Sequence, residues 1–443
     1  MTILIKILQF VMSLSILVVI HEFGHFTMAK LFKTRVEKFY LFFDPWFSLF
    51  KYKKGETEYG IGWLPLGGYV KISGMIDESM DKEQMKLPPQ PWEFRSKTSW
   101  QRLLIMTGGV IFNFISAMLI FILVLFAWGE TYLPTANVKY GIVTDTVGYA
   151  IGLRNGDKIL TIDNQHVESF HEIAAYIVLN HRKTIQVERD GKIMNIEIPE
   201  EYIPKMLKGK GLIDTRIPFG PYVIENFGKK SPAKTAGVLL DDQIVGIDDK
   251  IFSYYDEFQK YLAENKDHPV ILNLLRKGEK LNISLRTDSV GMLGIVRSVP
   301  LDKIFDFKTL KYGFLQSIPA GIHKGFKTMT DYLKQIPLIF SKHTKGYESL
   351  GGFISIGRIF PGVWDWQAFW NLTAFLSIIL AVMNILPIPA LDGGHVLFLL
   401  FEVVTGKKPS DKFLEYAQIA GMIILLAILL FANGNDILRL IRK

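Results

Sequence analysis

The sequence predicts a polytopic α-helical membrane protein of four spans, interrupted by a water-facing insert made of two copies of one small α/β unit. Three observations predict it. Four apolar runs that are almost free of charge are long enough to cross a bilayer. The composition is 49% apolar yet 21% charged, too hydrophobic for an ordinary soluble enzyme and too polar for a bare helical bundle. Finally, Gly152-Leu153-Arg154-Asn155-Gly156-Asp157 recurs as Gly237-Val238-Leu239-Leu240-Asp241-Asp242, an offset of 85 residues. That period is too long for a solenoid and fits a duplicated small domain.

The first span occupies residues 1–32, with an apolar stretch from Ile7 to Ile20 that runs into His21-Glu22-Phe23-Gly24-His25. Lys6 ahead of the stretch raises the alternative of a signal peptide. No small-x-small cleavage site follows, so a retained helix is expected. Residues 33–102 form a basic loop in which 58–65 and 66–74 read as short strands punctuated by glycine. Pro88-Pro89-Gln90-Pro91 then marks a stiff linker. The second span, 103–128, ends on Trp128, an interfacial anchor. The third span takes 366–395, a second basic loop 396–415, and the fourth span with the C-terminus 416–443. The loop cations, among them Lys33, Arg35, Lys51, Lys53, Lys54, Lys407 and Lys408, place both basic loops in the cytoplasm and residues 129–365 outside. Arg439, Arg442 and Lys443 form a smaller opposing group.

The insert divides into copies at 129–220 and 221–300. Each reads as a turn, a strand ending in Ile-Asp (Ile162-Asp163, Ile247-Asp248), an amphipathic helix, and a hairpin with a glycine turn at Gly191 or Gly278. Residues 301–365 form an amphipathic helical segment. There Leu315, Ile318, Ile322, Phe326, Met329, Leu333 and Ile336 make one helical stripe. That helix is expected on the outer membrane boundary, under the repeats, or in an ordinary core.

A net charge of +8 does not imply nucleic acid here. Many of the lysines and arginines flank hydrophobic segments, where they set topology and meet anionic lipid heads, so membrane lipid is the expected contact. The chain has no cysteine, which excludes disulfides and thiolate metal sites and leaves histidine and carboxylate as ligands. Two histidines four apart lie on one helical face and can converge on one metal ion, while Glu22 between them can reach a water. Ionisable groups at bilayer depth are costly, so three within five residues point to function. A third ligand is offered by Asp392 in Asn384-Ile385-Leu386-Pro387-Ile388-Pro389-Ala390-Leu391-Asp392-Gly393-Gly394-His395. Pro387 and Pro389 break the helix there and free the backbone. Asp392 could instead cap the following helix, and His395 is a rival ligand.

The paired motifs, HExxH on the first span and Asn-x-x-Pro-x-Pro-x-Leu-Asp-Gly on the third, are separated by repeats that look like bacterial PDZ domains. This arrangement resembles, over essentially the whole chain, the site-2 protease family of intramembrane zinc metalloproteases, nearest its sigma-E-regulating branch in Gram-negative bacteria. The resemblance implies Zn²⁺ held by His21, His25 and Asp392, with Glu22 as catalytic base and Asn384 holding the substrate backbone. It implies a polytopic α-helical membrane protein with a short membrane-dipping β-hairpin and two inserted PDZ-like α/β domains. The hairpin edge at Gly68, Tyr69, Val70 and Lys71 would pair with unwound substrate; a hairpin that only covers the site is the alternative. The implied activity is cleavage of single-pass transmembrane proteins, such as anti-sigma factors in envelope stress signalling. The implied place is a bacterial inner membrane, with the PDZ-like pair periplasmic and the active site toward the cytoplasm. That pair would capture peptide ends, filter substrates by size, or stand as spacers. Two other classes compete with this reading. A membrane scaffold or chaperone with a degenerate site predicts a missing ligand or base, and none is missing. A secondary transporter calls for a membrane-spanning inverted repeat, whereas the repeat found lies in the insert.

Overall fold

Four apolar helices and a bent β-hairpin make one unit of the chain, and a duplicated α/β insert makes the other. The computed structural model describes residues 2–75, 87–208, 212–220, 222–297, 299–341, 344 and 346–441, so Arg442 and Lys443 lie outside the described residues. The first unit comprises Met1–Glu130, Lys311–Ser341 and Tyr347–Lys443; the second comprises Thr131–Leu310 with Lys342–Gly346.

In the first unit, helices α1 (Thr2–Leu31) and α2 (Ser99–Trp128) are each 30 residues long. At about 1.5 Å per residue each spans about 45 Å, ample for a hydrocarbon layer of about 30 Å. Thr98 caps α2 in a capping box with Gln101, and Gly129 ends it at φ 74°. The two helices cross where Gly24 meets Gly108. A Cβ on Gly108 would lie 2.7 Å from the Gly24 carbonyl oxygen, so only glycine permits this approach. Helix α3 (Phe314–Phe340) also packs on α2. It comes closest at buried Gly321 and Gly325, which face Ile122 and Met118, while Leu315, Ile322, Phe326 and Leu333 of the predicted stripe stay exposed. Small residues let the backbones come close there, while Met329, Tyr332 and Ile336 pack farther along against the cluster around Ala117 and Phe121, and Phe326 meets Phe114 of α2 edge-on.

Helix α4 (Trp366–Ile385) packs Ala374, Ile378 and Val382 on Ala117 and Phe121 of α2. It stops before Pro387, and α5 (Asp392–Thr405) begins after a six-residue loop. The sequence reading carried the third span to 395 and made 396–415 a loop; instead α5 is helical to Thr405 and stops at Gly406 (φ 69°). Its run is too short to cross a bilayer, which is why it does not read as a span. Helix α6 (Asp411–Ile441) completes the four helices that, among the described residues, are long and apolar enough to cross a membrane: α1, α2, α4 and α6.

Strands β1 (Val36–Lys54) and β2 (Thr57–Ile72) pair antiparallel and double over on themselves. The start of β1 pairs with the end of β2 on one side (Phe39↔Val70, Tyr40↔Tyr69) and with the start of β2 on the other (Lys38↔Glu58, Leu41↔Ile61). The end of β1 pairs with the start of β2 again (Phe50↔Ile61, Tyr52↔Tyr59). The result is four segments side by side, with 68–72 as an edge that carries no further strand among the described residues. Phe42 and Trp46, at φ 67° and 73°, make the bend in β1. The sequence reading assigned two short strands at 58–65 and 66–74; both belong to β2, and their partner is 36–54. That partner is dense in aromatics and holds Asp44-Pro45, so it shows no clear alternation of apolar and polar residues.

The second unit contains two three-stranded antiparallel sheets of the same order. The first is β3 (Lys158–Ile162), β4 (Thr184–Arg189) and β5 (Lys192–Glu197); the second is β6 (Gln243–Ile247), β7 (Pro269–Arg276) and β8 (Glu279–Arg286). A helix joins the first two strands of each, Ile173–Leu179 and Tyr255–Glu264. Buried Asp157 pairs with Arg189 at 2.7 Å, and buried Asp242 with Arg276 at 2.8 Å. The Arg276 guanidinium holds the Asp242 carboxyl below its usual range. Each aspartate also accepts a backbone N–H of its turn, from Arg154 or Leu239. The duplication therefore reaches the ion pairs that brace each turn.

Candidate metal centre and active site

One turn separates His21 from His25 on α1, so the rings share one face, meet edge-on at 77° and bring their Nε2 atoms to 3.3 Å. Asp392, the first residue of α5, brings Oδ2 to 3.2 Å from His21 Nε2 and 3.3 Å from His25 Nε2. All three side chains are largely buried, and Asp392 Oδ2 has no hydrogen-bond partner. Three buried lone-pair groups at this spacing repel one another unless a proton or a cation lies among them, and their convergence suits a cation. The edges of the triangle also fit one: ligands about 2.0–2.1 Å from a tetrahedral zinc are about 3.3–3.4 Å from each other. Two acceptor-type nitrogens and a carboxylate oxygen are a donor set that zinc takes.

The local sequence explains how these groups meet. The loop after α4 turns at Ala390 (φ 75°), a residue whose N–H is held by the Gln418 side chain at 3.2 Å. A Cβ on Gly394 would come 2.6 Å from Pro389 Cα, so the glycines after Asp392 let the loop fold back over the start of α5. Asp392 is not a cap: Leu391 holds that position, and the carboxylate turns to the histidines. His395 lines a cavity with Phe94, Arg102, Phe398 and Glu402, and it is not part of the converging set.

Glu22 is half-buried beside the histidines, with the Val70 N–H turned toward its carboxylate. Gly68 lies against α1, where a Cβ would stand 2.6 Å from Val18 and 3.3 Å from Glu22 Cγ. The edge segment 68–72 therefore runs alongside the candidate base. Tyr69 donates to Asp44 at 2.8 Å, and burial together with that bond pushes its phenol up. Lys71 pairs with Glu37 at 3.3 Å. Both side chains are spent on the hairpin itself, which leaves the backbone of this segment as the group that can serve a ligand. Asn384, in the last turn of α4, brings Nδ2 to 3.2 Å from His21 Nε2.

Comparison with known proteins decides the family. The sequence profile of Peptidase family M50 matches residues 9–428. The chain belongs to peptidase family M50. This is the site-2 protease family, so the chain is a metalloprotease by family. M50 relatives include "Regulator of sigma-E protease RseP" of Salmonella typhimurium, 27% identical over 99% of this chain and 100% of its own length. "Protease RseP" of Yersinia pestis is 26% identical over 99% and 100%. A protein of Borreliella burgdorferi, provisionally named a zinc metalloprotease, is 28% identical over 92% of each chain.

Sequence reasoning missed four residues of α2 around this M50 site. A Cβ on Gly109 would run into His25 Nε2 and come 2.6 Å from His21 Cε1, so glycine there makes room for both rings. Gly108 forms the crossing with Gly24. The Ile105 carbonyl accepts from His25 Nδ1 at 2.9 Å, and the fully buried Asn113 contacts His21 Nδ1 at 3.1 Å. One signal was available: Asn113 is the one amide in the uncharged stretch 103–128.

Proposed function

We propose that this chain is a zinc-dependent intramembrane endopeptidase that cuts single-pass transmembrane proteins, with anti-sigma factors as the substrate class. The observation that carries the reading is the convergence of His21, His25 and Asp392 on one point, with Glu22 beside it and an open strand edge alongside. Zinc, when held by those three residues, supplies Lewis acidity toward a water and the scissile carbonyl. Glu22 accepts the proton of the attacking water and returns it to the leaving amine. A transmembrane substrate hides its peptide bonds in its own helix, so it must unwind and find new backbone partners. Segment 68–72 offers them by strand addition through its outward N–H and carbonyl groups, and Asn384 offers a further amide at the site.

The repeats of the second unit are read as PDZ-like domains on the basis of their duplicated strand–helix–hairpin order. In this reading they face the periplasm and act on the outer domain of a substrate, as capture device or size filter. The charge pattern of the loops supports that orientation in a bacterial inner membrane, with the active site toward the cytoplasm. The name of the Salmonella relative connects it with sigma-E regulation, and a membrane-held anti-sigma factor is the substrate class proposed from that connection. Purified wild type and Glu22→Gln, assayed on a model single-pass substrate with metal analysis alongside, test the proposal. Both should hold zinc, and the variant should lose about 10²–10⁴-fold or more in cleavage, since an amide cannot take the proton. Near-wild-type cleavage by the variant would remove Glu22 from this role.

A further inference from the structure

A histidine that ligates a metal through Nε2 must carry its proton on Nδ1, and that N–H needs an acceptor to fix the ring. For His25 the acceptor is plain: Nδ1 donates to the Ile105 carbonyl at 2.9 Å, and a carbonyl can only accept. For His21 the group at Nδ1 is the Asn113 side chain, 3.1 Å away through Nδ2, while Asn113 Oδ1 is buried with no partner. An amide nitrogen there suits only the wrong tautomer, in which Nε2 bears the proton and cannot ligate. A half-turn of the amide exchanges two atoms of nearly equal size and sacrifices no bond made by Oδ1. Nδ1–H then donates to Oδ1, and Nε2 is left free to face Asp392.

We infer that Asn113 is a positioning residue of the metal centre, which accepts from His21 Nδ1–H through Oδ1 and so sets the tautomer and angle of that ligand. The inference rests on the reading of His21 as a metal ligand. The rest of the environment supports it. Asn113 is fully buried, and its own backbone carbonyl accepts from Ser377 at 2.8 Å and Ser116 at 2.9 Å. Its turn of α2 is thereby tied to α4, the helix that leads to Asp392. Ile105, Gly109 and Asn113 recur every fourth residue, so one stripe of α2 supplies an acceptor for His25, space for both rings and an acceptor for His21. Asn113 touches no reacting atom in this scheme; it acts through His21.

The test is zinc affinity, measured on the full-length protein in detergent by competition with a chromophoric chelator, with melting of each metal-free protein followed in parallel. Asn113→Leu keeps the size but removes the acceptor, and should bind zinc about 10–100-fold more weakly. Asn113→Asp offers only acceptors and should restore affinity to within about threefold of wild type. If Asn113 merely glued helices, or donated to Nδ1 through its nitrogen, the aspartate would fail as badly as the leucine. An aspartate variant that is folded and as weak as Asn113→Leu overturns the inference, as does wild-type affinity in the leucine variant. Should Asn113→Leu melt early without metal, the aspartate variant decides alone. His21→Ala separates the two layers: if it holds zinc like wild type, the ligand reading itself has failed.

Discussion

Adding one methyl group at Gly24 should damage the active centre without touching a ligand. The Cβ of Gly24→Ala would stand 2.6 Å from the Gly108 carbonyl carbon and 2.9 Å from the Gly109 nitrogen. Ordinary carbon contacts begin near 3.4 Å, so α1 and α2 must part by roughly 0.5–1 Å, and neither neighbour is a side chain that could swing away. Overpacking of this kind costs about 1–3 kcal/mol. His21 lies three residues before Gly24 and His25 directly after it, so the shift moves both histidines relative to Asp392. A misplacement approaching 1 Å is worth about 10²-fold in rate. Cleavage by purified Gly24→Ala should fall by about that factor, with weaker zinc binding and a lower melting temperature. Gly434→Ala in α6 is the control, because its added methyl meets open space. It should leave cleavage unchanged and add about 0.5–1 kcal/mol of helix stability. Cleavage by Gly24→Ala within twofold of wild type would refute the claim that the glycine crossing sets the ligand geometry.

Two further outcomes are expected. Val70→Pro removes the edge N–H that faces Glu22 and should impair cleavage strongly while zinc binding stays normal, whereas Val70→Ala keeps the donor and should stay near wild type. Proline and alanine tolerated equally at 69, 70 and 71 would leave the hairpin as a cover. Deleting residues 135–300 should loosen substrate selection rather than stop hydrolysis, so that substrates with bulky outer domains are cut; complete inactivity of a correctly inserted deletion would give the insert a direct part in catalysis.

The residues that converge on one point were legible in the sequence because two short motifs carry them, each constrained by its own backbone. His21 and His25 share a face by helical spacing alone, and Pro387, Pro389 and the glycines after Asp392 announce a break that frees a carboxylate. The duplication was legible from an 85-residue offset and extends to the Asp157–Arg189 and Asp242–Arg276 pairs. What escaped depends on contacts between distant segments. The doubling of β1 on β2 needs Gly60 and Gly62 to admit Tyr40 and the Phe42 carbonyl, a requirement invisible until the strands meet. In α3 the apolar stripe does carry Met329 and Ile336 into the core, but the close approach to α2 rests on Gly321 and Gly325, which no apolar stripe marks. Ile105 and Gly109 support the histidines through a backbone carbonyl and an absent side chain, neither of which leaves a chemical mark in a sequence.

The central claim is that His21, His25 and Asp392 hold one catalytic metal ion, and metal analysis of purified protein tests it most directly. Wild type should retain about one zinc per chain through extensive washing, while His21→Ala, His25→Ala and Asp392→Ala each lose both zinc and cleavage in a folded protein. His395→Ala should keep its zinc. Full zinc in Asp392→Ala together with its loss in His395→Ala would contradict the account and move the third ligand one turn along α5.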